Sequence, residues 1–263
     1  MNKGDIIWVI LLLCLLGLFV IPATRETILA ASGAHPYIGG FIQFAILATM
    51  GDLFGKRIVS GEYQFSSQVF LRAVVWGIIG CMVTLVFPVF MGGASLAQAE
   101  GLLPFAGVAL AQAFCGSSIM NLTFAPAMNT LHRLMELWIE TASAKESVSL
   151  KGLIAKIDWT AFVTFNWLKV GICFWIPVHT IVFLLPENVR VVVAAFSSIA
   201  LGIILSLASK KGSSSGKLPE EIAYLKSNQR NDIIYVMSFF LLTGSSLIQD
   251  ALKNEKDLVF ILL

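Results

Sequence analysis

One lysine poses the chemical question in this chain. Lys169 stands ten positions past Trp159, inside the apolar run Trp159 to Leu185. At a rise of about 1.5 Å per residue that is a depth of about 15 Å, the middle of a hydrocarbon layer about 30 Å thick. A lysine there costs at least about 2.5 kcal/mol on insertion scales, so it is expected to face other helices or water and to have company. α-Helical spacing supplies neighbours: Asn166 three positions before, Cys173 four after and Thr180 eleven after, a polar stripe on an otherwise apolar rod. Pro177 lacks an N–H and is expected to kink this helix, leaving the Cys173 carbonyl without its donor. The stripe then reads as the wall of a polar cavity. The plainer alternative is that Lys169 reaches along its stem towards the headgroups and the stripe merely joins helices.

Other polar residues fall at depths where they could share that cavity. Gln43 and Asn121, with Asn166 and Lys169, lie in the half nearer the cytoplasm or at the centre. Asp52 and Arg72 flank a short connection and suggest an ion pair at the inner boundary. His179 and Arg190, with Thr180, suggest an outer mouth. Cys14, Cys81, Cys115 and Cys173 sit in apolar runs without metal or disulfide spacing, and His35, His132 and His179 are dispersed, so no metal or cofactor is expected. Enzymatic chemistry is not expected either, because Ser117 and Ser118 have no histidine at helical spacing and no acidic pair lies within a span.

The elements that must position these groups follow from composition. A chain of 263 residues that is 57% hydrophobic and 13% charged is too apolar for a soluble domain, which is about 25% charged. The net charge of +2 gives no argument for nucleic acid. Six apolar runs read as spanning helices: Ile6 to Ala23, Tyr37 to Met50, Ala73 to Met91, Leu102 to Met128, Trp159 to Leu185 and Val191 to Ala208. The first is read as an uncleaved helix rather than a signal peptide. With the N-terminus inside, the inner connections collect twelve Lys and Arg residues, among them Lys56, Arg57, Arg133 and Lys156, against Arg25 and Arg190 outside. That bias places both termini in the cytoplasm.

The expected fold is therefore all-α, a single polytopic bundle over residues 1–211, followed by a cytoplasmic or surface tail over 212–263. Thr130 to Thr141, with Leu131, Leu134, Met135 and Trp138 at amphipathic spacing, is expected to extend the fourth helix or lie on the inner surface. In the tail, Gly212 to Gly216 reads as a flexible linker, and the 16-residue apolar run Ile233 to Ile248 as an interfacial segment or a short seventh helix.

A set of short motifs recurs in order along the chain: Gly51-Asp52 closing one helix, Arg72 with Gly77 opening the next, Lys156-x-Asp158, Asn166-Trp167, Trp175 with Pro177, and Pro186-x-x-x-Arg190. From about Pro36 to Ser209 the sequence resembles the family named after Mpv-seventeen and the twenty-two-kilodalton peroxisomal membrane protein, and within it the bacterial relatives. The chain departs from the family pattern where Ile176 splits the Trp-Pro pair, where Thr180 and Val182-Phe183 replace a Gln and an Asn-Phe, and where no Trp follows Arg190. The resemblance implies a bundle of about four core helices and, for some members, a weakly selective channel involved in membrane homeostasis.

The expected function is a permeation pathway for small solutes or ions across a bacterial inner membrane, lined around Lys169. The alternative is a non-transporting scaffold whose buried polar groups fix helix register. The lipid bilayer is the expected partner, with a homo-oligomer left open.

Overall fold

The computed structural model describes residues 3–63 and 65–214, with side chains as far as residue 204. All regular structure among them is helical: α1 Lys3–Val20, α2 Pro22–Ala34, α3 Pro36–Ser60, α4 Ser67–Ala99, α5 Ala109–Ser143, α6 Leu150–Ala155, α7 Trp159–Ala161, a π-wound segment Phe162–Trp175, α8 Ile176–Leu184 and α9 Glu187–Ser214. Five helical stretches are long and apolar enough to cross a membrane: Lys3–Val20, Pro36–Ser60, Ser67–Ala99, Trp159–Leu184 and Glu187–Ile204. They match five of the six runs expected. The expected run Leu102 to Met128 is the exception. Its first residues, Leu102 to Val108, form a connection, and α5 carries Gln112, Ser117, Ser118, Asn121 and Thr123 along its first half, which lowers its hydropathy. The tail beyond Ser214, including Ile233 to Ile248, lies outside the described residues.

The first expected span divides in two. Pro22 opens α2, where its missing N–H is not needed, and the hydroxyl of Thr24 donates to the carbonyls of Leu18 (2.7 Å) and Ile21 (3.0 Å) at the break.

Two compact units make up the described chain. Of the described residues, the first comprises 3–31, 50–63 and 198–214. In it the Trp8 ring stacks on Phe54 at 4.2 Å and its indole N–H donates to the Met50 carbonyl at 3.1 Å. Asp5 pairs with Arg57 at 3.1 Å, and Asp52 with Lys56 one turn on at 2.7 Å. Gly51 lies against the backbone of Ser198 and Ile199, a close approach that a side chain would crowd.

The second unit, Ser32–Thr49 with Phe65–Ser197, holds the larger core. α5 is its axis and packs on α4, on α8 and on the π segment. Its buried positions Ala113, Ser117, Met120 and Asn121 recur at helical spacing and present one continuous face to those neighbours. α3 and α4 cross at Gly40 and Gly80, where a β-carbon at either glycine would strike the other's backbone. α5 runs on through Thr130 to Thr141, as expected. The residues it buries there are Leu137, Ile139 and Thr141, while Leu131 and Trp138 face outwards. Leu137 joins Leu153 of α6, Ile157 and Phe162 in a satellite cluster edged by Leu134 and Trp167.

Candidate functional site

The most enclosed polar cluster of the second unit is built by α5 and α8. Ser117 and Asn121, one turn apart on α5, face Ile176, His179 and Thr180, and Asn121 is only 2% exposed. The Ser117 hydroxyl donates to the Ile176 carbonyl at 2.8 Å, and the Thr180 hydroxyl donates to the same carbonyl at 2.7 Å. The Asn121 amide nitrogen donates to the Ser117 carbonyl at 2.8 Å and lies 3.1 Å from His179 Nδ1. Its oxygen is 3.3 Å from the same Nδ1. With one amide hydrogen on the Ser117 carbonyl, the other is free for Nδ1. The shorter N···N distance favours His179 as the acceptor, in the tautomer that carries its proton on Nε2.

Aromatic rings close the cluster. The His179 imidazole stacks on Trp175 (4.9 Å, 15°) and more loosely on Phe183 (6.1 Å), and Phe87 of α4 meets both His179 and Phe183 edge-on at 5.5 and 5.0 Å. Every interhelical hydrogen bond here is made where the alternative would be an unsatisfied group in an apolar surround.

A local feature of the chain explains this placement. Between Phe162 and Trp175 the backbone is π-wound, its amides bonding five residues back, and the Ile176 N–H closes the run on the Gly171 carbonyl. Pro177 then falls in the first turn of α8, directly after the last π-type bond. The proline is thus the junction between two windings rather than a kink within one α-helix. In the π segment, neighbours on a face lie four and five apart, so the expected α-helical stripe separates. Lys169 keeps Cys173, four positions on, as a neighbour on its face, Asn166 is half-buried on the same segment, and Thr180 turns into the cluster with His179.

The remaining sequence candidates are distributed as follows. Asn121 pairs with His179, ten positions beyond Lys169, instead of gathering with Asn166 at the centre. His179 is enclosed by rings and amide rather than standing at a mouth. Arg190 caps the end of α8, donating through Nε to the Leu185 carbonyl at 2.9 Å, with Glu187 3.5 Å away. Gln43 donates to the Ser32 hydroxyl at 3.1 Å, tying α3 to α2. Asp52 belongs to the first unit.

Arg72 anchors a second polar group in the second unit. It holds Glu136 at 2.9 Å and Glu140 at 3.3 Å on α5, and Arg133 approaches Glu136 at 3.6 Å. Lys156 nearby donates to the Thr141 hydroxyl at 3.0 Å and to Glu146 at 2.9 Å. Sequence reasoning missed Ser117, Glu136 and Glu140. Ser117 lies 59 positions from Ile176 and Arg72 lies 64 from Glu136, so no local spacing signals either contact. Among the described residues no group of three or more His, Cys, Asp or Glu is placed to hold a metal ion.

No protein-family model, curated protein or solved structure matches the chain.

Proposed function

We propose that this chain is a multi-pass helical membrane protein forming a weakly selective permeation pathway for small solutes or ions, with the π-wound segment as its working wall. The observation that carries this reading is Lys169, half-buried at mid-depth of a stretch with span length and composition, on backbone whose winding is rare and recurs at functional sites. A lysine ammonium on a pathway wall favours anions by simple electrostatics. With α5 counted as a sixth span, both termini lie in the cytoplasm and the basic connections on one side, a topology suited to a bacterial inner membrane. The ordered motifs shared with the Mpv-seventeen family support the same class of function. In reconstituted vesicles the protein is expected to pass small anions faster than cations. Lys169→Met is expected to abolish that preference. Flux no greater than that of empty vesicles, at any pH tried, would overturn the reading.

A second reading is favoured by a different observation: the hydrogen bonds of Ser117, Thr180 and the Asn121 amide nitrogen are spent on backbone carbonyls and the imidazole, as in a register-fixing device. A non-transporting scaffold of this kind predicts that Asn121→Leu lowers folded yield, and that neither it nor Lys169→Met changes any flux.

A further inference from the structure

The connection Gly101–Val108 between α4 and α5 has features that a solvated loop does not need. Its sequence, GLLPFAGV, contains no charged residue. Leu102 and Phe105 are 74% and 72% exposed, and Val108, Leu110 and Phe114 at the start of α5 and Leu96 at the end of α4 are exposed as well. Exposed apolar side chains at a loop tip are usually replaced by polar ones, so six of them in and beside one loop call for an occupant.

The backbone beneath them is hydrogen-bonded from within. The amides of Leu102 and Leu103 donate to the Ala97 carbonyl at 2.8 and 3.2 Å, and the Val108 amide donates to the Phe105 carbonyl at 3.1 Å. Gln98, 4% exposed, turns its amide nitrogen into the loop and donates to the carbonyls of Pro104 at 3.0 Å and Phe105 at 3.2 Å. Phe105 itself is held at φ 57°, in the left-handed region that non-glycine residues seldom adopt. A loop in water needs no buried glutamine to satisfy its carbonyls, because water does so. A loop outside water does need one.

The length of α4 gives the depth. From Arg72, which is tied to Glu136 and Glu140, to Gly101 is 29 positions. At about 1.5 Å per residue this is about 44 Å, matching the 40–45 Å of a bilayer with its headgroup regions. If Arg72 and its glutamates lie at one headgroup layer, Gly101–Val108 lies at the other.

We infer that Gly101–Val108 is a lipid-docking loop, held by Gln98 so that Leu102 and Phe105 enter the headgroup–acyl boundary of the leaflet opposite Arg72. This rests on the membrane-spanning reading above and adds to it a specific lipid contact outside the helices. The occupant is lipid rather than protein because the apolar surface is continuous with the outward faces of α4 and α5, which the bilayer itself covers.

The test uses a full-length chain with its four cysteines replaced by alanine, carrying an environment-sensitive NBD label at Phe105→Cys, in phosphatidylcholine vesicles. A reference label goes at Leu13→Cys within α1. Both labels are expected to emit blue-shifted light and to resist quenching by aqueous iodide. Adding Gln98→Leu is expected to return the Phe105→Cys label, and not the reference, to the aqueous spectrum. A water-like spectrum at Phe105→Cys beside a shielded reference would refute the loop proposal alone. A water-like spectrum at both sites would refute the membrane reading and the proposal with it. A shift that grows with protein-to-lipid ratio would assign the loop to a second copy and overturn the lipid assignment. Where the cysteine-free chain does not fold, Phe105→Trp quenched by brominated-chain lipid, read as a difference from the parent protein, replaces the label and carries the same outcomes.

Discussion

Asn121 and His179 offer the sharpest energetic test of the structure. Replacing Asn121 by Leu removes two donations, to the Ser117 carbonyl at 2.8 Å and to His179 Nδ1 at 3.1 Å. The first leaves no orphan, because the Ser117 carbonyl keeps its helical partner four residues on. The second leaves Nδ1 unpaired among Trp175, Phe87 and Phe183. Interhelical hydrogen bonds in membrane proteins average about 0.6 kcal/mol and reach about 1.7, while an unsatisfied buried acceptor costs about 1–3 kcal/mol. Asn121→Leu is therefore expected to destabilise by about 1–2 kcal/mol. His179→Phe keeps a ring between Trp175 and Phe183 and takes away one acceptor, at about 1 kcal/mol, since Asn121 retains Ser117. The double variant replaces a polar pair by an apolar pair of similar shape, so its cost is expected to be no more than the larger single cost, a coupling of about 1 kcal/mol. Equilibrium unfolding in mixed micelles with rising sodium dodecyl sulfate, followed by helical circular dichroism, measures all four corners of the cycle. Independent sites add to within about 0.3–0.5 kcal/mol. A coupling inside that error would mean that the Asn121–His179 contact does not hold α5 to α8, and the account of the cluster would fall.

Three further perturbations test other parts of the structure. Gly80→Leu sets a side chain against the Gly40 backbone and is expected to cost at least about 1–3 kcal/mol, read in the same unfolding assay, whereas Gly92→Leu, which meets nothing within 4 Å, is expected to be near neutral. Arg72→Met takes the shared cation from Glu136 and Glu140, leaving Glu136 only Arg133 at 3.6 Å, and is expected to cost about 1–3 kcal/mol, against about 0.5 for Lys56→Met, whose pair with Asp52 is a half-exposed i,i+4 contact. Burial, and after it the Asp5 carboxylate, raise the Tyr63 hydroxyl above its usual 10.0. Because the folded value is the higher, the stability this confers is complete below about pH 10 and is lost as pH rises through the folded value. Ultraviolet titration is expected to show one tyrosine ionising late, and Tyr63→Phe to remove that late step.

The parts of this fold that depend on single-residue transfer free energy were legible in the chain. Apolar runs placed α1, α3, α4, the stretch Trp159–Leu184 and α9. The α5 span was read as one more apolar run, yet its polar residues are the ones the core uses, so a hydropathy scale undervalues the helix at the centre of the second unit. The candidate cluster was half legible: Asn121 and Thr180 were singled out for a cavity around Lys169, and His179 for a mouth apart from it. Their meeting depends on α5 lying against α8, a tertiary fact, and on the winding before Pro177. Periodicity arguments assume 3.6 residues per turn, and a π segment breaks that assumption without any marker in composition.

That winding also bears on motion. A π segment gives up no ladder bond when it relaxes to α, since each amide exchanges a partner five residues back for one four back. Such a change would lengthen the rod and rotate α8 about its axis, drawing the imidazole of His179 off the Asn121 amide. The α3–α4 crossing, locked backbone to backbone at Gly40 and Gly80, has no comparable screw thread. The stretch that carries Lys169 is thus also the one with a screw thread, so a change of its winding would shift Lys169 and the α5–α8 seam together.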